Sequence, residues 1–329
     1  MAFFELIKPD TRIDFVGQSK YAIALSSAIV LLAIVAMFVR TPPIRMGIDF
    51  TGGMEMQLHF EQAGSVDEGG IRQVLGGFGL ESSDVIRLGE RDEGVYLVRM
   101  QRESAGDQNE LVDQVRDAMA KELGPVEVER VGFVGPKVGE ELRRNGLLAI
   151  GVASLLLLVY IGFRFTPIFA PGAIVAQVHD VVVTAAVLVI FGREFDLTVL
   201  GALLAILGYS INDKIVVYDR IRENLELHTA QAFPQMVNDS LNQTLSRTVL
   251  TGGTAIFSSF ALYFWGGPVI ATFGLAMAVG IIVGTYSSLY ITTPILLALQ
   301  KRYGVTGTSA PAAKKGGRRG EKESRAARA

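Results

Sequence analysis

The stretch LGYSINDKIVVYDR, residues 207–220, carries charged side chains inside a run that is otherwise apolar enough for a membrane helix. Asp213 lies in this run, Lys214 follows it, and residues 215–218 are apolar or aromatic. An ionised carboxylate in a hydrocarbon core costs about 2.5–3.5 kcal/mol on insertion scales, so it is usually paired, protonated or beside water. We favour a functional charge over the alternative, in which Asp213 snorkels to the membrane interface and marks a helix end.

The whole chain has the composition of a membrane protein with a water-soluble part. Of its 329 residues 50% are hydrophobic and 19% charged, and the mean hydropathy is +0.36. It has no cysteine, and its three histidines show no metal-ligand spacing. We recognise no nucleophile and base constellation and no phosphate-binding loop, so we expect no enzymatic activity, no metal site and no cofactor.

Six apolar runs have about the 20 residues that a helix needs to cross a ~30 Å hydrocarbon core. The first, residues 19–39, has no small-residue cleavage site and is predicted to be an uncleaved anchor. The other five form a membrane domain over residues 145–300. They lie near residues 147–163, 172–191, 197–218, 249–265 and 269–299.

The positive charges in the short connections predict the orientation in the membrane, because cytoplasmic loops retain Lys and Arg. This places residues 1–18 and the basic tail, residues 301–329, in the cytoplasm. We expect the tail to be disordered and to act mainly as a retained positive segment, although it could also touch anionic lipid. We expect no nucleic-acid partner.

The large outer segment, residues 40–144, has the pattern of a folded domain. Alternating strands and two helical stretches follow one another in the order β-α-β-β-α-β, which predicts a ferredoxin-like fold, a two-layer α+β domain. The strand candidates are EMQLHF, SSDVIRL, GVYLVRM and VEVERVGFV. Because this fold hosts many functions, it indicates no function by itself.

Three charged residues are predicted to lie within or at the edge of the membrane spans. Asp180 falls near the middle of the third span, Asp213 in the inner half of the fourth, and Arg247 at the start of the fifth. The fourth and fifth spans are antiparallel neighbours, so we predict a switchable ion pair between Asp213 and Arg247 that couples proton binding to helix position. Asp180 is a weaker candidate for the same proton path, with a buried structural acid as the equal alternative.

Hydroxyl and small residues surround these charges. Thr251 is a weaker relay candidate, because such hydroxyls more often bond back to their own helix. Glycines in the spans are predicted to permit close helix packing. They are Gly201, Gly208, Gly252, Gly253, Gly274, Gly280 and Gly284.

Pro234 is predicted to open a helix along the inner membrane surface, with Val237, Leu241 and Leu245 on one face.

Several motifs resemble the SecF members of the SecD/SecF family of protein-export membrane proteins. They are spread over nearly all of the chain except its two termini. The motifs are GIDFTGG at 47–53, VGFVGPKVGEEL at 131–142, VHDVVVT at 178–184, GYSINDKIVVYDRIREN at 208–224, LNQTLSRTVLTGGTA at 241–255 and GTYSSLYITTPI at 284–295.

The resemblance implies a polytopic α-helical protein of the bacterial inner membrane, with six spans like half of an RND-type transporter and one periplasmic ferredoxin-like domain. It implies a non-enzymatic subunit that works with SecD and uses the proton gradient to assist export of unfolded preprotein through the SecYEG channel. In the family, the residues at Asp213 and Arg247 serve proton movement. Two rival functions stay open: an RND-type exporter of small molecules or lipids, and a purely structural assembly factor.

Overall fold

The protein consists of a bundle of long helices and a small αβ domain inserted after the first of them. The computed structural model describes residues 11–303 except 40–43, 63, 65, 82, 90–91, 101–107 and 228–230. The structure therefore describes only part of the predicted N-terminal segment and almost none of the basic tail.

Helix α1 spans Phe15–Val39 and is followed by a short helix, α2, at Ile48–Thr51. Gly52 closes α2 with a positive φ of 77° and packs against the start of the next long helix. A Cβ on Gly139 of that helix would lie 2.8 Å from the Gly52 nitrogen. The GIDFTGG motif thus packs against α5 at the point where the αβ domain begins, which is a structural role.

The αβ domain has the predicted order of elements. Its strands form one antiparallel sheet in the order β2-β3-β1-β4, the arrangement of a ferredoxin-like split βαβ unit. Both helices cover one face, where residues such as Met56, Ile71 and Val115 are fully buried. The elements are β1 Gly53–Phe60, α3 Glu68–Gly76, β2 Asp84–Leu88, β3 Val95–Met100, α4 Gln108–Leu123 and β4 Val126–Val134.

The remaining long helices complete the bundle. They are α5 Pro136–Arg164, α6 Ala170–Ile190, α7 Leu197–Leu227, α8 Phe233–Trp265, α9 Gly267–Tyr290 and α10 Thr292–Tyr303, with a 3-10 turn at Pro167–Phe169 before α6. In the described part of the chain, six helical segments are long and apolar enough to cross a membrane. This confirms the predicted fold class.

Two helices have details that the apolar pattern did not specify. The last apolar run forms one candidate span as predicted, and its helix is interrupted at Ile291 between α9 and α10, three residues before Pro294. The course of the next segment along the membrane surface stays a prediction, but Pro234 opens a helix as predicted, in the first turn of the 33-residue helix α8. Its apolar face, with Val237 and Leu241 among others, is buried against the bundle, which explains why the segment continues straight into the span.

Helix α9 lies at the centre of the bundle and packs against α6, α7 and α8. Gly274, Gly280 and Gly284 sit at its crossings, where an added Cβ would lie within 3 Å of a neighbouring helix. The predicted role of these glycines in close packing is therefore confirmed. Gly201, Gly208 and Gly253 meet no described atom of another element within 4 Å, so within this chain the prediction fails for them.

Candidate functional site

Two acidic side chains lie inside the bundle, Asp180 on α6 and Asp213 on α7. Consecutive residues of the central helix α9, Ser287 and Ser288, donate a hydrogen bond to one carboxylate each. Neighbouring residues of a helix point about 100° apart, so a single helix can serve two sites. We call these sites the Asp180 centre (Asp180, His179, Ser210, Lys214, Ser287) and the Asp213 centre (Asp213, Thr248, Ser288).

The Asp180 centre is a buried ion pair with a full set of hydrogen bonds. Oδ2 of Asp180 lies 2.9 Å from Lys214 Nζ, and it accepts bonds from Ser210 Oγ at 2.5 Å and Ser287 Oγ at 2.8 Å. Asp180 is 1% and Lys214 0% exposed. Breaking such a buried pair by removing one partner typically costs about 3–5 kcal/mol, so the pair holds α6, α7 and α9 together.

His179 connects this centre to the first helix. Its Nδ1 lies 3.1 Å from Asp180 Oδ1, and its Nε2 lies 2.6 Å from the hydroxyl of Ser26 on α1. Since an ionised carboxylate only accepts, the tautomer that fits has the proton on Nδ1 and receives the Ser26 hydroxyl at Nε2. Tyr286 adds a second bond to α1, from its hydroxyl to the Ala22 carbonyl at 2.6 Å.

Among the residues that the structure describes, the donors to the Asp213 carboxylate are hydroxyls, and no cation forms an ion pair with it. Oδ1 of Asp213 accepts a bond from Thr248 Oγ1 on α8 at 2.6 Å, and Oδ2 accepts a short one from Ser288 Oγ on α9. Tyr209, one turn earlier on α7, lies near this carboxylate and near the Thr251 hydroxyl. Asp213 is only half-buried. It therefore sits at the meeting point of three helices with room to exchange a proton.

The predicted ion pair between Asp213 and Arg247 is absent, although the structure describes both residues. Thr248, the next residue on α8, is the one that faces Asp213, and a rotation of about 100° per residue turns Arg247 away from it. Arg247 is exposed in the single chain. The hydroxyl of Thr251 donates to the Arg247 carbonyl at 2.8 Å, which is the local bond expected of a helix hydroxyl.

Arg247 belongs to a line of polar residues along the exposed face of α8. The residues follow each other at steps of three or four, so they lie on one side of the helix. They are Gln243, Arg247, Thr251, Thr254 and Ser258. We call this face the polar stripe. Its apolar flank includes Phe257, which is 78% exposed.

Sequence reasoning missed most of the hydrogen-bond donors at the two centres. Lys214 directly follows Asp213 in the sequence, whereas its ammonium group is buried against Asp180. Lys214 directly follows Asp213 on α7, so the two side chains point about 100° apart, and Lys214 lies four residues after Ser210, with which it shares Asp180 as partner. That spacing, together with the serine pair in the motif GTYSSLY, is the signal that could have separated the two centres.

A second charged contact lies where the αβ domain meets the bundle. Arg99 on β3 lies 2.9 Å from Glu55 on β1 and 3.5 Å from Glu194 in the loop between α6 and α7. Burial raises the pKa of Glu194 above its ordinary value, and the nearby charge of Asp84 adds to the effect. The contact between Arg99 and Glu194 thus joins the αβ domain to the helix bundle.

Backbone bonds reinforce this contact. The N–H of Gly47 donates to the Phe195 carbonyl and that of Phe195 to the Arg45 carbonyl, each at 2.8 Å. Among the described residues, no group of three or more His, Asp or Glu side chains is arranged to hold a metal ion.

Comparison with known proteins places this arrangement in context. The profile of the family described as protein export membrane protein SecD/SecF, C-terminal, matches residues 114–302, and that of the SecD/SecF GG motif matches residues 41–63. The protein translocase subunit SecF of Desulfurispirillum indicum is 39% identical, over 88% of this chain and 93% of its own length. The SecF subunit of Escherichia coli O157:H7 is 37% identical over 87% of each chain.

The fold is similar to a solved structure as well. The crystal structure of SecDF, a translocon-associated membrane protein from Thermus thermophilus, superposes with a TM-score of 0.77 at 37% identity. The match covers 90% of this chain and 40% of that one, so the present chain spans less than half of the SecDF polypeptide.

Proposed function

The chain belongs to the SecD/SecF family of protein-export membrane proteins, and we propose that it is the subunit that couples proton flow to preprotein export. It is a multi-pass membrane protein. We assign it to the bacterial inner membrane with both termini in the cytoplasm, the orientation that the positive charges favour. Its role is transport, and its partners are SecD, the SecYEG channel and an unfolded preprotein, with anionic lipid as a further contact of the basic tail.

The observation that carries the proposal is the chemistry of the Asp213 centre. Both donors to the carboxylate, Thr248 and Ser288, are hydroxyls. A hydroxyl donates to an ionised carboxylate and can turn to accept from a protonated one, so both forms of Asp213 keep hydrogen-bond partners. A group that can exist in either form inside a membrane bundle is suited to pick up and release a proton.

Arg247 completes the proposed relay from the polar stripe. An arginine stays charged and is costly when it faces lipid, so the stripe is suited to an interface with another helical subunit. In the SecDF structure the matching chain continues well beyond the region that this chain covers. We assign the stripe to contact with SecD and place Arg247 beside the proton path at that contact.

Proton binding is coupled to movement through α8. Because Arg247 and Thr248 are neighbours, rotation of α8 about its axis exchanges the Thr248 contact of Asp213 for an Arg247 contact. One proton that crosses the membrane supplies about 2.3 kcal/mol per 100 mV, and about 1.4 kcal/mol changes an equilibrium tenfold. Since β4 ends at Val134 and α5 begins at Pro136, a shift of the bundle is passed directly to the domain.

An export assay in inner-membrane vesicles tests this function. We expect Asp213→Asn to abolish the stimulation of preprotein export by the proton gradient while the protein stays folded and present. Asp219→Asn is the matched control, because Asp219 lies on the same helix but is 52% exposed and pairs with Arg164 near the surface. Normal gradient-stimulated export in Asp213→Asn would contradict the proposal and favour the structural assembly factor.

Affinity purification from mild detergent tests the partner. We expect SecD to co-purify with the wild-type chain and to be lost when Thr254 and Ser258 of the polar stripe are replaced by large apolar residues. Substitution of Leu148, which is 57% exposed on α5, is the control for nonspecific effects on the lipid-facing surface. A protein that purifies without SecD, and whose proton flux is stimulated by a small molecule or lipid, would favour the RND-type exporter.

A further inference from the structure

The two buried carboxylates differ in what their neighbours can do. At the Asp180 centre, the donors to Oδ2 include an ammonium group, Lys214 Nζ at 2.9 Å. At the Asp213 centre, both donors are neutral hydroxyls. An ammonium group has three donors and no acceptor, whereas a hydroxyl can act as either. This difference determines which of the two carboxylates tolerates a proton.

Protonation of Asp180 would be opposed by its buried cation, Lys214. A proton on Asp180 would neutralise the carboxylate, so the fully buried ammonium group of Lys214 would remain as an uncompensated charge. It would also weaken the acceptor that Lys214 contacts, because an ammonium group cannot turn to accept a hydrogen bond as the hydroxyls of Ser210 and Ser287 can. Asp180 is therefore fixed in its ionised form.

The groups that face the two carboxylates directly come from four helices, and a fifth helix, α1, takes part through His179. Those that face Asp180 are His179 on its own helix, Lys214 and Ser210 on α7, and Ser287 on α9. Helix α1 contributes Ser26 through His179, and Tyr286 of α9 lies beside the His179 ring. Asp213 faces Tyr209 of its own helix, Thr248 of α8 and Ser288 of α9.

We propose that Lys214 is the residue that determines which acid exchanges protons: by holding Asp180 ionised, it confines exchange to Asp213. The inference rests on the proposed function, since it takes Asp213 as the exchanging group. Lys214 acts through Asp180 and is a positioning residue. It also prevents a second protonation site from dissipating the gradient through the same bundle.

The Asp180 centre has a mechanical part in the same arrangement. The ion pair links α6 to α7, and Ser287 of α9 donates a hydrogen bond to the same carboxylate, so the Asp180 centre connects all three helices. Ser288, the next residue, is thereby held against Asp213. Helix α8, which supplies Thr248, has no residue in the Asp180 centre.

Infrared difference spectroscopy tests this assignment, because the carbonyl stretch of a protonated buried carboxyl group is distinct from that of a carboxylate. The full chain is reconstituted with SecD in lipid and titrated from neutral to acid pH. We expect one titrating buried carboxyl band in the wild type, lost in Asp213→Asn. In Lys214→Met we expect a second band, lost again in the double variant Asp180→Asn, Lys214→Met.

Three comparisons keep the result interpretable. Lys214→Arg retains the positive charge and should show the single band of the wild type. The double variant removes both charges of the pair together, so it should fold like the wild type and provide the reference if Lys214→Met is poorly folded. A band that persists in Asp213→Asn and disappears in the double variant would overturn the inference, as would a single unchanged band in folded Lys214→Met.

The same experiment separates failure of the inference from failure of the proposed function. If the wild type shows no band that depends on Asp213, the proposed function fails. A second band in Lys214→Met would then still support the control of Asp180 by Lys214.

Discussion

The crossing of α7 and α9 allows a quantitative test of the packing that holds the two centres together. Gly280 of α9 faces Ile206 of α7, and a Cβ at Gly280 would lie 2.3 Å from Cδ1, 2.5 Å from Cγ1 and 2.8 Å from Cγ2 of that isoleucine. Carbon atoms in contact are normally about 3.5–4.0 Å apart. Three atoms of a fully buried side chain are too close at once, so rotation of its tip is not enough and the helices must separate by about 1 Å.

We therefore expect Gly280→Ala to be destabilising. Overpacking of this kind costs about 1–3 kcal/mol, whereas replacing Gly by Ala in an unobstructed helix gains up to about 1 kcal/mol. Gly208→Ala on α7 is the matched control, since no atom of another element lies within 4 Å of an added Cβ there. Relative to this control, Gly280→Ala should lower the free energy of unfolding by about 1–3 kcal/mol.

The assay is unfolding in a mixture of mild detergent and sodium dodecyl sulfate, followed by circular dichroism. Proton-stimulated export is measured in parallel, because separating α7 from α9 also lengthens the contact between Ser288 and Asp213. Equal unfolding curves for Gly280→Ala and Gly208→Ala would refute the packing argument. Reduced stability with unchanged export would refute the link between this crossing and the Asp213 centre.

Three further predictions concern other parts of the molecule. Burial raises the folded pKa of Glu194, so its stabilising contribution is complete below the unfolded value of about 4.5 and is lost as pH rises through the higher folded value. Thermal unfolding of Glu194→Gln should thus depend less on pH in this range than that of the wild type. Tyr218→Phe removes the hydroxyl that donates to the Phe169 carbonyl at 2.9 Å and should cost about 1 kcal/mol in detergent unfolding. Gly139→Val places side-chain atoms against the Gly52 backbone, so hydrogen exchange at residues 48–51 should accelerate, and unchanged exchange would contradict the close contact.

Much of the fold could be predicted because it follows from local patterns. Apolar runs of sufficient length predicted the spans, and alternating strands with two helical stretches predicted the domain. The break at Ile291 and the straight continuation of α8 could not be predicted in the same way. The break coincides with Pro294, whose missing N–H and ring interrupt a helix. The course of α8 depends on which neighbour covers its apolar face, and hydropathy alone contains no information about that neighbour.

The sequence predicted which acidic residues lie inside the bundle, but the predicted partner of Asp213 was wrong. Asp180 and Asp213 were found because a carboxylate in an apolar run is rare for an energetic reason. The pairing depended on the direction of each side chain around its helix. Arg247 was matched to Asp213 by depth alone, although the next residue, Thr248, is the one that faces it. Lys214 is next to Asp213 in the sequence but pairs with Asp180, because neighbouring residues on a helix point in different directions.

Proton flux into liposomes is the most direct measurement of whether Asp213 exchanges protons across the membrane. The chain is reconstituted with SecD and engaged with a translocating preprotein, and a pH-sensitive dye inside the liposomes reports flux under an imposed gradient. We predict flux in the wild type and in the control Asp219→Asn, and no flux above protein-free liposomes in Asp213→Asn. Undiminished flux in a folded Asp213→Asn complex would contradict the account.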